Sequence, residues 1–219
     1  LVDAGFDVAG RHPNPRVVEE FAEELAREGH DVKAIAADVS TRDGAEEAMR
    51  VAEERFSRVD VLVTSTGAID DKSLLKLGDD EWNRVHDACL RATFLATQAF
   101  ARHAVPRGEG GRVVHTIGLQ GLQGSLSQAN FASANSGVFG LMRSSCIELQ
   151  KHKITVNAVV PLAKTRMTEH LPMFHGVATL TPEHVVPAAL FLASDLVALR
   201  TGHLLAVAGA RMFAFKFVE

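Results

Sequence analysis

The sequence predicts an α/β fold in which one parallel sheet is covered by helices on both faces. Short apolar runs alternate with longer segments of helical period, and neither a linker nor an internal repeat divides them. With 219 residues the chain has the length for one sizeable core, so a single domain over residues 1–219 is expected.

The elements follow in chain order. Phe6 to Gly10 reads as a strand, and Pro15 to Glu28 as a helix whose Val18, Phe21, Ala22 and Leu25 recur on one apolar face. Val32 to Ala37 is the next strand. Ser40 is placed to cap a helix through Phe56, with Asp43 in the first turn, where negative charge suits the helix N-terminus. Val59 to Val63 is a buried strand. One long helix is expected from Asp80 to about His103, followed by a connection marked by Pro106, Gly108, Gly110 and Gly111, and then a strand from Arg112 to Ile117. A second long helix spans Ser127 to Gln150, and Ile154 to Val160 is a strand stopped by Pro161. Thr181-Pro182 begins a helix, with threonine as cap and proline at the first position. Leu204 to Val207 is the last expected strand.

Composition narrows the function classes. With 23 basic and 27 acidic residues the net charge is −4, and no cluster of Lys or Arg offers the footprint a nucleic acid needs. Cys89 and Cys146 lie far apart without metal-ligand spacing, so buried thiols in a reducing compartment are expected, with no disulfide framework and no metal site. The apolar runs are short and interrupted by charge, and the first residues lack a signal-peptide profile. A cytoplasmic protein away from membranes is the expectation.

Several segments together resemble the short-chain dehydrogenase/reductase family, over nearly the whole chain. Ala37-Asp38-Val39-Ser40 is similar to the family's acidic contact to adenine. Val59-Asp60-Val61-Leu62-Val63 resembles its "DvLVNNAG" strand, with Thr64-Ser65-Thr66-Gly67 in place of Asn-Asn-Ala-Gly. Ile154-Thr155-Val156-Asn157-Ala158-Val159-Val160-Pro161 is similar to "ItVNaiaP". One branch fits better than the rest. The run Pro161 to Glu169, the run Leu180 to Pro187, and the ending Ala208-Gly209-Ala210-Arg211 resemble the (3R)-hydroxyacyl-CoA dehydrogenase domains of multifunctional β-oxidation enzymes and the related 3-oxoacyl reductases. The resemblance implies a Rossmann-type, doubly wound sheet, a hydride passed between NAD(P) and an alcohol or ketone, and an ancestral 3-hydroxyacyl-CoA substrate.

The chain contains no tyrosine, whereas in this family a tyrosine gives or takes the proton. A lysine four residues later lowers that tyrosine's pKa, a serine 13 residues before it orients the carbonyl, and an asparagine on the preceding long helix completes a relay. Matching Gln128 to Asn135 with the family's "QanYaaaK" puts Phe131 at the tyrosine and Asn135 at the lysine. Counting back 13 residues gives Gly118, and Asp87-Ala88-Cys89-Leu90 puts Cys89 at the asparagine. Phenylalanine keeps the ring and loses the proton, Asn135 carries no charge, and Gly118 has no side chain with which to polarise a carbonyl. General acid–base catalysis contributes about 10²- to 10⁴-fold, so losing donor, activator and orienter together is expected to abolish useful turnover.

The family begins with a strand and a Gly-rich turn that brings backbone N–H groups to the pyrophosphate. Here Leu1 to Arg11 resembles the end of the following helix and the second strand. Because the first strand would be central, its omission would leave a hole between its neighbours with exposed edges, and upstream residues are expected. The candidate cofactor-binding residues are Arg11, Asp38, Val39 and Gly67. Arg11 follows the second strand, where it can pair with a 2′-phosphate, although a solvated arginine is the plainer reading. Asp38 suits adenine or an ordinary capping loop equally, and Gly67 reads as a turn glycine first and a ligand contact second. His115 reads as a packed core histidine, Cys89 as a small buried hydrophobe, and Lys151 and Lys153 as solvated.

The helices near 80–103 and 127–150 are the ones that pair across the main dimer interface in this family. Their apolar positions are kept, with Val85, Leu90, Phe94 and Leu95 on the first and Val138, Leu141, Met142 and Leu149 on the second. The expected role is therefore a non-catalytic subunit assembled with an active paralogue, a heterotetramer in which NAD(P) is held by the partner and none is bound by this chain. Two other roles stay open: an NAD(P)-dependent enzyme with rearranged catalytic residues, and an acyl-CoA or nucleotide sensor.

Overall fold

In the computed structural model, the described residues are 8–11, 15–165, 168–169 and 179–215. They form a Rossmann-like α/β domain. Strand β1 (Val8–Arg11) is followed by α1 (Pro15–Arg27), β2 (Val32–Ile35), α2 (Arg42–Phe56) and β3 (Val61–Thr64). Next come α3 (Asp79–His86), α4 (Ala92–Arg107), β4 (Gly111–Thr116), α5 (Gln120–Gln123), α6 (Ala129–Leu149) and β5 (Ile154–Leu162). The chain closes with α7 (Val186–Ala193), β6 (Leu204–Ala208) and β7 (Arg211–Phe215).

Strand order in the main sheet is β3-β4-β5-β6-β7, parallel except for the antiparallel β6–β7 pair. β1 and β2 pair in parallel as a separate two-stranded sheet. Among the described residues β1 and β3 therefore each have one unpaired edge. The apolar Val61, Leu62 and Val63 of β3 accordingly stay only half-buried. Alternation along the strands builds two layers of core. Val113, Ile117, Val156, Ala158 and Val160 pack with Leu95, Phe100, Val138 and Met142 of α4 and α6, while Val114, Val159, Leu205 and Val207 pack beneath Ala188 and Leu192 of α7.

Three local expectations need correction. Thr41 caps α2, its hydroxyl accepting from the Gly44 N–H at 3.1 Å, because Ser40 is held by Asp38 and the chain turns one residue later. The long helix from Asp80 is divided by a π-helical segment, Asp87–Arg91, and then continues to Arg107. There the wider turn sends the Ala92 N–H to the Asp87 carbonyl, and Thr93 Oγ1 donates to the Cys89 carbonyl at 2.7 Å. Past the last expected strand, Gly209 takes φ +55 and turns the chain into β7 as a two-residue hairpin. Thr181 does stand at a helix N-cap, that of the short 3₁₀ turn Pro182–Val185, but its hydroxyl meets His184 Nδ1 rather than a backbone N–H. The strand expected at Phe6 to Gly10 is found as β1, Val8–Arg11, while Phe6 and Asp7, part of the run Pro161 to Glu169, and the side chains of Val18 and Phe21 lie outside the described residues.

Candidate functional site

The site forms where the C-terminal end of β4 meets the first turns of α6. Asn130, fully buried, sets the start of that helix: its Oδ1 accepts from the Phe131 N–H at 2.9 Å and its Nδ2 donates to the Asp70 carbonyl at 2.9 Å. Gln128 Nε2 donates to Asp71 at 2.9 Å, Lys72 pairs with Glu81, and Arg84 pairs with Asp70 at 2.8 Å. The loop after β3 is thus tied to both α3 and α6, and the frame around Phe131 is fixed from two sides. Sequence reasoning passed over Asn130 and Gln128 as site-builders, although both stand in the run matched to "QanYaaaK".

Three of the four candidate positions touch. The Gly118 N–H donates to Asn135 Oδ1 at 2.7 Å, and Asn135 Nδ2 donates to the Phe131 carbonyl at 2.9 Å. Both ends of the Asn135 amide are engaged and the side chain is buried. The Phe131 ring fills the space beside Gly118, where an added Cβ would lie 2.8 Å from Phe131 Cε1 and 3.1 Å from Gln120 Oε1. Gly121 allows this closure, since a Cβ there would meet the Asn135 backbone at 2.7 Å and hold α5 away from α6. Cys89 completes the group from the π segment, packed in an apolar cluster with Val85 and Ala134 against Leu90 and Phe131.

The electrostatics are those of a packed interior. Burial pushes the Cys89 thiol up, so it stays protonated at neutral pH. His115, the nearby imidazole on β4, is fully buried, and burial pushes it down to about 4. Its Nδ1 lies 2.8 Å from Thr64 Oγ1, while Nε2 has no partner among the described residues. It is the core histidine the sequence suggested. None of Cys89, Gly118, Phe131 and Asn135 offers a group able to exchange a proton near neutrality.

The candidate cofactor residues lie elsewhere. Val39 is a core side chain, and the exposed Asp38 accepts from Ser40 N at 3.0 Å and Ser40 Oγ at 2.7 Å in its own turn. Gly67 has no left-handed φ, so the turn reading is corrected: a Cβ there would meet only Cys89 Sγ, at 3.7 Å. Arg11 ends β1, and its side chain lies outside the described residues. Among the described residues no three His, Cys, Asp or Glu side chains converge as metal ligands, and no helix is long and apolar enough to cross a membrane.

The sequence profile of the "short chain dehydrogenase" family matches residues 1–173. The chain belongs to that family. It is 32% identical over 193 residues to the mouse "Peroxisomal multifunctional enzyme type 2", covering 88% of this chain and 26% of that protein. The chain thus spans about a quarter of the length of that relative. It is 32% identical over 219 residues to the Mycobacterium tuberculosis "Hydroxyacyl-CoA dehydrogenase ChsB1", covering 94% and 69% of the two chains. It is also 32% identical over 199 residues to the Thauera aromatica "(2S)-[(R)-hydroxy(phenyl)methyl]succinyl-CoA dehydrogenase subunit BbsD", covering 86% and 79%. Among solved structures, a short chain dehydrogenase from Mycobacterium smegmatis superposes with a TM-score of 0.85 at 29% identity, covering 96% of this chain and 84% of that one.

Members of this short chain dehydrogenase family use NAD(P). The described residues do not fit the redox half of that cofactor's chemistry. The cluster presents a phenyl ring, an amide with both ends hydrogen-bonded and a glycine, and none of these is an acid or a free donor that could serve a hydride step. On the adenine side, Asp38 Oδ1 is already used within its own loop.

Proposed function

We propose that this short chain dehydrogenase is a non-catalytic subunit that assembles with an active paralogue in an NAD(P)-dependent dehydrogenase acting on a 3-hydroxyacyl-CoA type substrate. The observation that carries the reading is the closed contact among Gly118, Phe131 and Asn135. The amide that replaces a lysine spends both its ends within the chain, and a ring without a hydroxyl fills the space a serine side chain would need. Relatives named for hydroxyacyl-CoA and succinyl-CoA thioesters, one of them as a subunit, support the substrate class and the assembly. The same reading has the partner hold NAD(P) and this chain hold none, and it places the protein in the cytoplasm, consistent with two free, buried thiols.

The proposed contact with the paralogue is the helical face of α3, α4 and α6. Val85, Leu95, Val138 and Met142 are buried, and Leu149 packs against the main core, so these five build the domain itself. Phe94 and Leu141, with Leu90, which also packs against the core, line a groove of about 340 Å³ rimmed by His86, Asp87 and Arg91. Apolar floor and charged rim are the anatomy of a protein contact.

A restoration variant tests the catalytic half of the proposal. Phe131→Tyr, Asn135→Lys, Gly118→Ser and Cys89→Asn, combined in the isolated chain, are expected to give no NAD(P)-dependent oxidation of 3-hydroxyacyl-CoA thioesters. Turnover restored to a rate typical of enzymes, about 1 s⁻¹ or more, would contradict it.

A further inference from the structure

We propose that His86 is a proton switch that pins the end of α3 to the first turns of α6. Its Nδ1 lies 3.0 Å from the Trp82 carbonyl, which can only accept, so Nδ1 carries a proton. On the other side of the ring, Nε2 lies 3.2 Å from Ser133 Oγ. The single proton of that hydroxyl is used at the Asn130 carbonyl, 2.9 Å away, which leaves an oxygen lone pair turned toward Nε2. Only an imidazolium donates from both nitrogens and leaves every partner satisfied. The Trp82 ring stacks on the imidazole with centroids 4.2 Å apart and planes at 27°, and the indole face favours a cation there.

The neutral ring holds the junction less well. To keep a bond to Nε2, Ser133 must swing its proton away from the Asn130 carbonyl, the bond between the helices loses its charge, and the indole loses its cation. Asn130 is the buried residue that sets the start of α6, so the loss falls on the frame around Phe131. The other charges at the junction are already balanced. α6 carries no charged side chain before Arg143, Asp87 and Arg91 oppose one another on the groove rim beside His86, and Lys72 with Glu81 and Arg84 with Asp70 are closed pairs. Among these groups only an imidazole changes charge near neutrality. Because the fold holds the second proton, this stabilisation is present in full at acid pH and is lost as pH rises, the reverse of the buried His115. His86 also lines the Leu90–Phe94–Leu141 groove, so the switch reaches the surface proposed for the paralogue, yet it belongs to this chain alone and does not rest on that reading.

Nitrogen NMR of the full chain, labelled in its histidines, reads the ring directly. At about pH 7, where an ordinary histidine is mostly neutral, His86 is expected to show both nitrogens protonated. Hydrogen exchange in the first two turns of α6, corrected for intrinsic rates, is expected to be about tenfold slower near pH 6 than near pH 8.5, the scale of one charge-assisted hydrogen bond. His86→Gln keeps a donor that cannot titrate, and is expected to fold with this contrast gone. Ser133→Ala removes the partner of Nε2 and is expected to leave His86 mostly neutral at about pH 7. A ring with one protonated nitrogen at that pH, exchange that does not follow pH, a contrast that survives His86→Gln, or a ring unaffected by Ser133→Ala would overturn the proposal.

Discussion

Asn135→Lys is expected to destabilise the folded chain by at least about 3 kcal/mol, measured as a fall in the urea midpoint without a change in slope. The substitution removes the acceptor for the Gly118 N–H and the donor to the Phe131 carbonyl. It leaves backbone groups unpaired in a closed setting and asks an ammonium to occupy a buried position. Asn135→Ala loses the same two bonds without the charge and is expected to cost less, about 1–3 kcal/mol. If Asn135→Lys proves neutral, the pocket can open to hold a cation where the family holds its lysine, and the closed contact cannot be the reason for silence. Adding Phe131→Tyr does not rescue the variant on this account, because the ring already occupies the space beside Gly118.

Between neutral pH and about pH 4 the chain is expected to lose roughly 3 kcal/mol of stability through His115 alone. In the fold burial holds this imidazole at about 4 instead of the ordinary 6.5. The unfolded chain therefore binds the proton first as pH falls. Stability from the neutral side chain is present in full above about 6.5 and declines through the window. It levels off below about 4, where the folded state is protonated as well. Urea midpoints of the parent and His115→Leu across this range isolate the effect, since the carboxylates titrate alike in both. The variant is expected to lose the Thr64 bond at every pH and to show a shallower acid slope. Parallel slopes would mean that His115 is charged, or solvated, in the folded chain.

Much of the fold was legible because burial patterns carry it. The β-branched runs at Val61, Val113 and Val156 can only be strands between helix layers, and the order of the matched segments fixes the family. The π segment at Asp87–Arg91 left no such trace, since its residues keep helical period and the wider turn depends on Thr93 taking the Cys89 carbonyl. β7 was legible in principle: Gly209-Ala210 between two apolar runs is a hairpin signal, eclipsed by the resemblance of that stretch to a family ending. At the site, sequence matching located Gly118, Phe131 and Asn135 but described them only as losses. That the asparagine amide closes the space depends on the approach of α5 to α6 at Gly121, a tertiary contact that spacing cannot reveal. The interface positions were overcounted for a related reason. Helical period marks an apolar face without telling which of its residues the domain's own core consumes, and Val85, Leu95, Val138 and Met142 went to the core.

The central claim is that this chain serves chemistry carried by another subunit. Native mass spectrometry of the complex purified from the cells that make it, with every subunit identified by peptide sequencing, tests this most directly. The account predicts a heteromer containing a paralogue that keeps asparagine, serine, tyrosine and lysine at the positions of Cys89, Gly118, Phe131 and Asn135. A complex of this chain alone that oxidises a 3-hydroxyacyl-CoA thioester with NAD(P) would contradict it.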